Sequence, residues 1–95
     1  MTLTILAQIT ARPGHEVQVL DALQRLIPPT LNETGCLLYD LHTDNNRPDV
    51  FVFYETWQSR ADWLAHNASA HIAAHKAATT DTILSIEVNE LTKLD

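Results

Sequence analysis

The stretch FVFYETWQSRADWLAHNASAHIAAHK, residues 51–76, changes period in its middle. Up to Trp57 it alternates: Phe51, Phe53 and Trp57 fall on one side, Val50, Val52 and Tyr54 on the other. Period two over Val50 to Trp57 predicts a strand, and one that is apolar on both faces. Gln58-Ser59 then turns the chain. Ser59 is placed to cap a short helix reaching to about His66, with Asp62 at its third helical position. Ser69 is placed to cap a second helix from Ala70 to about Ala78. Both tryptophans and three of the five histidines lie in this segment. Aromatic, carboxylate and imidazole groups should therefore meet where a sheet is covered by helices.

The flanking segments complete the pattern. Thr2 to Ala11 alternates Leu3, Ile5, Ala7 and Ile9 against Thr2, Thr4, Gln8 and Thr10, the signature of a strand with one apolar face. Pro13-Gly14 marks a turn. His15 to Ile27 predicts a helix with Leu20, Leu23 and Ile27 on one stripe and Val19 and Leu26 beside it. Pro28-Pro29 should end or kink that helix, Thr30 to Glu33 adds one further turn, and Gly35 stops it. Cys36 to Thr43 is a strand, Asp44 to Asp49 a polar hairpin loop, and Thr82 to Leu94 a last strand with Leu84, Ile86 and Val88 alternating.

Strand, helix, strand, strand, helix pair, strand predicts an α+β fold. The compact solution is a ferredoxin-like sandwich, a four-stranded antiparallel sheet with helices on one face, forming a single domain over residues 1–95. Helices can cover only one face of that sheet, yet the third strand is apolar on both. A second copy of the chain is the expected cover, so a homodimer is predicted.

Composition narrows the function. Twelve acids against six bases give a formal charge of −6, and no run of Lys or Arg interrupts it. Such a surface repels phosphate backbones, which excludes nucleic acid as a partner. No apolar run approaches the roughly 18 residues of a membrane helix, and the first residues lack the basic start of a signal peptide. The one cysteine, Cys36, has no internal partner, which suits a reducing cytoplasm. It follows a turn glycine into a strand and reads as a small buried thiol.

Candidate site residues come from spacing. Phe53, Glu55 and Trp57 share a strand face, and the aromatic pair makes it the helix-facing one. His71 and His75 are four apart on one helix face, and His66 ends the helix before. Tyr39 and Tyr54 belong either to the pocket or to the dimer interface; His15 and His42 read as solvated. The His71/His75 spacing is that of a metal pair, but no glutamate follows the first histidine, and a third ligand would have to be His66 or Glu55. No metal is expected, and no glycine-rich phosphate loop is present.

Four pieces together resemble a known family: Ala11-Arg12-Pro13-Gly14 after the first strand, Glu33-Thr34-Gly35-Cys36 with Tyr39 three residues on, Glu55-Thr56-Trp57, and His66-Asn67-Ala68-Ser69-Ala70-His71. They resemble the antibiotic biosynthesis monooxygenases over nearly the whole chain, most closely the quinol monooxygenase branch. The resemblance implies a dimeric α+β barrel and, from several members, oxygenation of quinols or anthrone-type phenols without flavin or metal. The cofactor-free anthrone oxygenases carry an asparagine four residues before the strand-end tryptophan; here that position is Phe53. Proton removal would then fall to His66 or His71. The haem-degrading members have an axial histidine that His75 resembles, but their strand asparagine and helix tryptophan correspond to Ala7 and Ala65.

The expected function is thus a cofactor-independent monooxygenase taking a small aromatic substrate, a quinol or polyketide-like phenol, and O2 to a quinone. His66 or His71 would be the base, an imidazole with an ordinary pKa near 6.5 being suited to that task. Glu55 would orient it, Trp57 and Phe53 would clamp the ring, and Tyr39 and His75 would complete the pocket. The alternatives are a non-catalytic small-ligand-binding dimer and an enzyme similar to the autoinducer-processing branch.

Overall fold

In the computed structural model, which describes residues 1–95, the chain runs β1 (Leu3–Ala11), α1 (Glu16–Leu31), β2 (Cys36–Asp44), β3 (Arg47–Trp57), α2 (Arg60–Asn67), α3 (Ala70–Ala78) and β4 (Ile83–Leu91). The four strands form one antiparallel sheet in the order β2-β3-β1-β4, a ferredoxin-like α+β fold. The doubly apolar β3 is an inner strand, as its sequence requires. No helix is long and apolar enough to cross a membrane.

Register decides which residues share a face, because directly paired residues point the same way. Glu55 pairs with Ile5 on one side and Tyr39 on the other; Phe53 pairs with Ala7 and Leu41; Trp57 pairs with Leu3 and Cys36. This is the helix-covered face, and Ile5, Phe51, Phe53, Glu55 and Trp57 are all buried on it. Fully burying an aliphatic or aromatic side chain of this size contributes about 1.5–3 kcal/mol, so this face carries the core. On the reverse face Tyr54 pairs with Leu6 and Asp40, and Val52 with Gln8 and His42. No element covers that side, and Tyr54 is left 43% exposed.

Helix α1 departs from expectation twice. Its buried stripe is Val19, Leu23, Leu26 and Thr30, so the expected Leu20/Ile27 line is rotated toward the β2 edge and only partly buried. Both series fit a helical repeat, and packing against the sheet selects between them. The helix also continues through Pro28 and Pro29 to Leu31. The prolines cannot donate to the carbonyls of Gln24 and Arg25, but both residues are exposed and water can take the missing bonds. Leu26 and Thr30, buried on either side of the proline pair, hold the last turn onto the sheet.

Two connections are tighter than the sequence suggested. The β2–β3 hairpin is a turn at Asn45-Asn46 with Asp44 paired to Arg47. The Asp44 carboxylate accepts from the amides of Asn46 at 2.9 Å and Arg47 at 3.2 Å, closing the turn with a side chain. Pro48 is tolerated in β3 because pairing with β1 starts only at Val50. At Gly35, with φ +80°, an added Cβ would lie 2.1 Å from Asp62 Oδ2. The Gly35 carbonyl also accepts from the amide of Gln58 at 2.7 Å. The turn after α1 is therefore docked tightly onto the start of α2. Strand β4 ends at Leu91, short of the expected Leu94. Its Ile86 and Val88 pair with Ile9 and Ala7 and line the edge of the space under the helices, with Ile86 55% exposed, but a register shift between Thr10 and Ala11 sets Ile83 rather than Leu84 against the core.

Candidate active site

Serine caps set the positions of the histidines. Ser59 Oγ accepts from the amide of Asp62 at 3.2 Å and starts α2, whose last turn carries His66. Ser69 Oγ accepts from the amide of Ile72 at 3.4 Å and starts α3, which places His71 in its first turn. The short link between these helices brings the two imidazoles together, with ring centroids 6.0 Å apart.

The group between them is Glu33. His66 Nδ1 is hydrogen-bonded to Glu33 Oε2, and His71 Nε2 lies 3.5 Å from the same oxygen. His71 Nε2 also meets the hydroxyls of Thr30 at 3.2 Å and Ser69 at 3.4 Å. An ionised carboxylate only accepts, so the bond places the hydrogen on His66 Nδ1 and leaves a lone pair on Nε2. His66 Nε2 has no hydrogen-bond partner, yet no side-chain polar atom sealed from solvent lacks one. Nε2 therefore opens onto accessible space. Burial lowers the pKa of His66, and Glu33 opposes that shift by hydrogen bond and charge.

His66 also lines a cavity of about 130 Å³ between sheet and helices, on the side toward β4. His66, Glu55, Tyr39, Phe53, His75 and Trp63 are among its walls. Tyr39 stacks on Phe53 at 4.3 Å between centroids and meets His66 edge-on at 5.6 Å. The two tyrosines thus separate: Tyr39 faces the cavity and Tyr54 the open sheet face. Burial, and secondly the charge of Glu55, pushes the Tyr39 phenol well above its ordinary range. Burial also lowers the pKa of His75, with Lys76 adding to the effect. The Cys36 thiol is pushed up to about 11, chiefly by burial, as suits an inert group.

Three expected residues sit differently. Glu55 does not touch an imidazole: its Oε1 accepts from Trp57 Nε1 at 2.9 Å, and Glu33 occupies the place expected of it. Burial raises Glu55 to about 7, against the indole bond that lowers it. Trp57 is completely buried and is not among the cavity walls; it packs behind His66 at 4.8 Å between centroids. A clamp on the ligand ring is therefore not its position. His71 faces away from the cavity, into a groove of about 390 Å³ between α1 and α3.

The His71/His75 metal pair is also absent as a unit. The donor atoms that lie within 4.8 Å of one another belong to Glu33, His66 and His71, and those of Glu33 and His66 are already joined by their hydrogen bond. Sequence reasoning missed Glu33 and Thr30. Glu33 stood in the sequence only as a carboxylate ahead of the turn glycine, within the Glu33-Thr34-Gly35-Cys36 piece of the family resemblance, and no role followed because its partner lies 33 residues away.

Comparison with known proteins places the chain in a family. The family model described as antibiotic biosynthesis monooxygenase matches residues 2–78. The chain is 32% identical over 99 residues to a protein of Escherichia coli (strain K12) described as probable quinol monooxygenase YgiN, covering 94% of this chain and 95% of that one. Among solved structures, PA3566 from Pseudomonas aeruginosa superposes with a TM-score of 0.95 at 31% identity, covering 99% of this chain and 95% of that one. Rv0793 from Mycobacterium tuberculosis superposes with a TM-score of 0.92 at 26% identity, covering 100% and 97%. With the match spanning most of its length, the chain belongs to the antibiotic biosynthesis monooxygenase family.

Proposed function

We propose that this protein is a cofactor-independent monooxygenase that oxidises a quinol with O2 to a quinone, and that His66 is its base. The observation that carries this reading is the two-sided engagement of His66: its Nδ1 is held by Glu33, its Nε2 is accessible, and the residue lines a cavity walled by aromatic rings. A carboxylate that fixes the tautomer and steadies the imidazolium is the arrangement by which histidine removes protons from oxygen. The relative described as a quinol monooxygenase supports the substrate class. So does the lining: the cavity is walled mainly by apolar and aromatic side chains, as a planar aromatic substrate requires.

The chemistry follows from the substrate's own electrons. His66 Nε2 takes the phenolic proton, and the phenolate transfers one electron to O2. Coupling of the radical pair at a ring carbon that bears hydrogen gives a peroxide anion, and the proton returned from His66 makes it a hydroperoxide. Loss of water from that carbon forms a new carbonyl, so the quinone keeps one atom of O2 and the other leaves as water. Tyr39 and Phe53 would pack against the ring, Glu55 would present its carboxyl to a ring oxygen, and His75 would close the wall beside Lys76. Trp57 acts through Glu55 and the packing behind His66. In an oxygen electrode, naphthohydroquinones should drive oxygen uptake above the uncatalysed rate; uptake at the background rate across a panel of quinols and anthrones would sink the reading.

The open face of the sheet, with Leu6, Leu38, Val52 and Tyr54 around one shallow depression, is proposed to pack against a second copy of the chain.

A further inference from the structure

His66 lines the cavity between sheet and helices and His71 the groove between α1 and α3, and Glu33 touches both. The side chain of His66 is only 5% exposed, that of Glu33 18% and that of His71 24%. The three groups thus form a line through the wall of the site, from the ligand side to the solvent side. At the solvent end, His71 Nε2 is met by two hydroxyls, Thr30 and Ser69. A hydroxyl donates to a bare ring nitrogen and accepts from a protonated one, so these partners serve His71 in either state.

We propose that this line is a proton store: the proton taken from the substrate does not stay on His66 but comes to rest on His71 until O2 has coupled to the ring. The proposal rests on the reading of His66 as the base. The substrate O–H bond breaks, its electron pair stays on oxygen, and the proton goes to His66 Nε2. His66 passes its Nδ1 hydrogen to Glu33 Oε2, and Glu33 passes a proton to His71 Nε2. At that point the substrate is an anion, His66 is neutral, Glu33 is again a carboxylate and His71 is a cation. Once O2 has coupled to the ring as a peroxide anion, the same hops in reverse return the proton to the peroxide, giving the hydroperoxide, which then loses water with the hydrogen of its own carbon.

Physical chemistry favours this order. A charge on the ring of His66 is penalised by burial, whereas the His71 side chain keeps about a quarter of its surface in water. A phenolate bonded to an imidazolium is also a poorer reductant than one beside a neutral imidazole. Other charges do not replace the store. Glu55 shares the cavity with His66 but is bonded to Trp57. Tyr39, its phenol raised by burial, holds its proton. On the groove side, Asp21 and Arg25 pair with each other at 2.9 Å, and His75 stands one helical turn beyond His71.

Ring-nitrogen NMR of the full chain tests the store with and without 1,4-naphthohydroquinone under argon. In the free protein, the first proton taken up on acidification should appear on His71 while His66 stays neutral. His71→Ala should move the His66 midpoint by at least half a pH unit, and Glu33→Gln should make the two rings titrate independently. With the quinol bound, the His71 signal should become that of an imidazolium at a pH where it was neutral. In air, His71→Ala and His71→Gln should lower kcat about tenfold with little change in KM. A first proton on His66, or rings that ignore each other in the wild-type protein, would overturn the store even if quinol oxidation is confirmed. If no quinol is bound or oxidised, the proposed reaction fails, and the free-protein titration still decides whether Glu33 couples the two rings.

Discussion

Trp57 donates its indole N–H to Glu55 across 2.9 Å, on a sheet face where both residues are buried. The carboxyl pays for that position in acidity, being raised from 4.5 to about 7 with burial as the main cause. The native state therefore holds a proton that the unfolded chain has lost between these two values. A raised carboxyl contributes its stability fully below the unfolded pKa and loses it as pH rises through the folded one. Stability should fall from about pH 4.5 to 7 by up to roughly 3 kcal/mol. Glu55→Gln keeps an acceptor for the indole and should flatten that slope in urea titrations at stepped pH; an unchanged slope would place the titration elsewhere.

Trp57→Phe removes the donor and leaves the Glu55 carboxyl without its indole bond. Loss of a buried partner costs about 1–3 kcal/mol, and the smaller ring adds a packing loss. Because Trp57 is behind the cavity wall rather than in it, turnover should stay near the native value while the denaturation midpoint drops. A collapse of turnover with native stability would show that the indole acts directly on substrate.

Gly35 adopts φ +80° against Asp62, where a Cβ has no room. Gly35→Ala should destabilise by about 1–3 kcal/mol and shift Glu33 from His66. The expected readouts are a lower denaturation midpoint and a kcat loss larger than any change in KM. A variant with native stability and rate would mean that the turn is not what positions Glu33.

Tyr54 and Val52 share the uncovered sheet face with Leu6 and Leu38. If two copies close that face, Val52→Asp should yield monomers by light scattering, because an unpaired charge in an apolar interface costs several kcal/mol. A wild-type monomer at micromolar concentration would contradict the pairing.

Much of this was legible in the alternation of single strands. Period two over residues 51–57 placed Phe53, Glu55 and Trp57 on one face, and the serine caps placed both short helices correctly. Adjacency across the chain was not. Glu33 lies in a connection with no period, and only the docking of Gly35 on α2 brings it to His66. Helix α1 could turn either of two stripes inward, and tertiary packing chose the one carrying Thr30. The same packing holds α1 together across two prolines, which local propensity alone would have ended. His71 was correctly placed near His66, but no spacing rule says that its ring faces the opposite side of the wall.

The central claim is that His66, held by Glu33, removes the substrate proton. His66→Ala, checked for an intact fold by circular dichroism, should lower the turnover of a naphthohydroquinone in the oxygen electrode by about 10²–10⁴-fold, the usual loss for a general base. The ionisation in the native rate–pH profile should vanish with it. Near-native turnover with an unchanged pH profile would contradict the account and leave proton removal to Glu55, His75 or water.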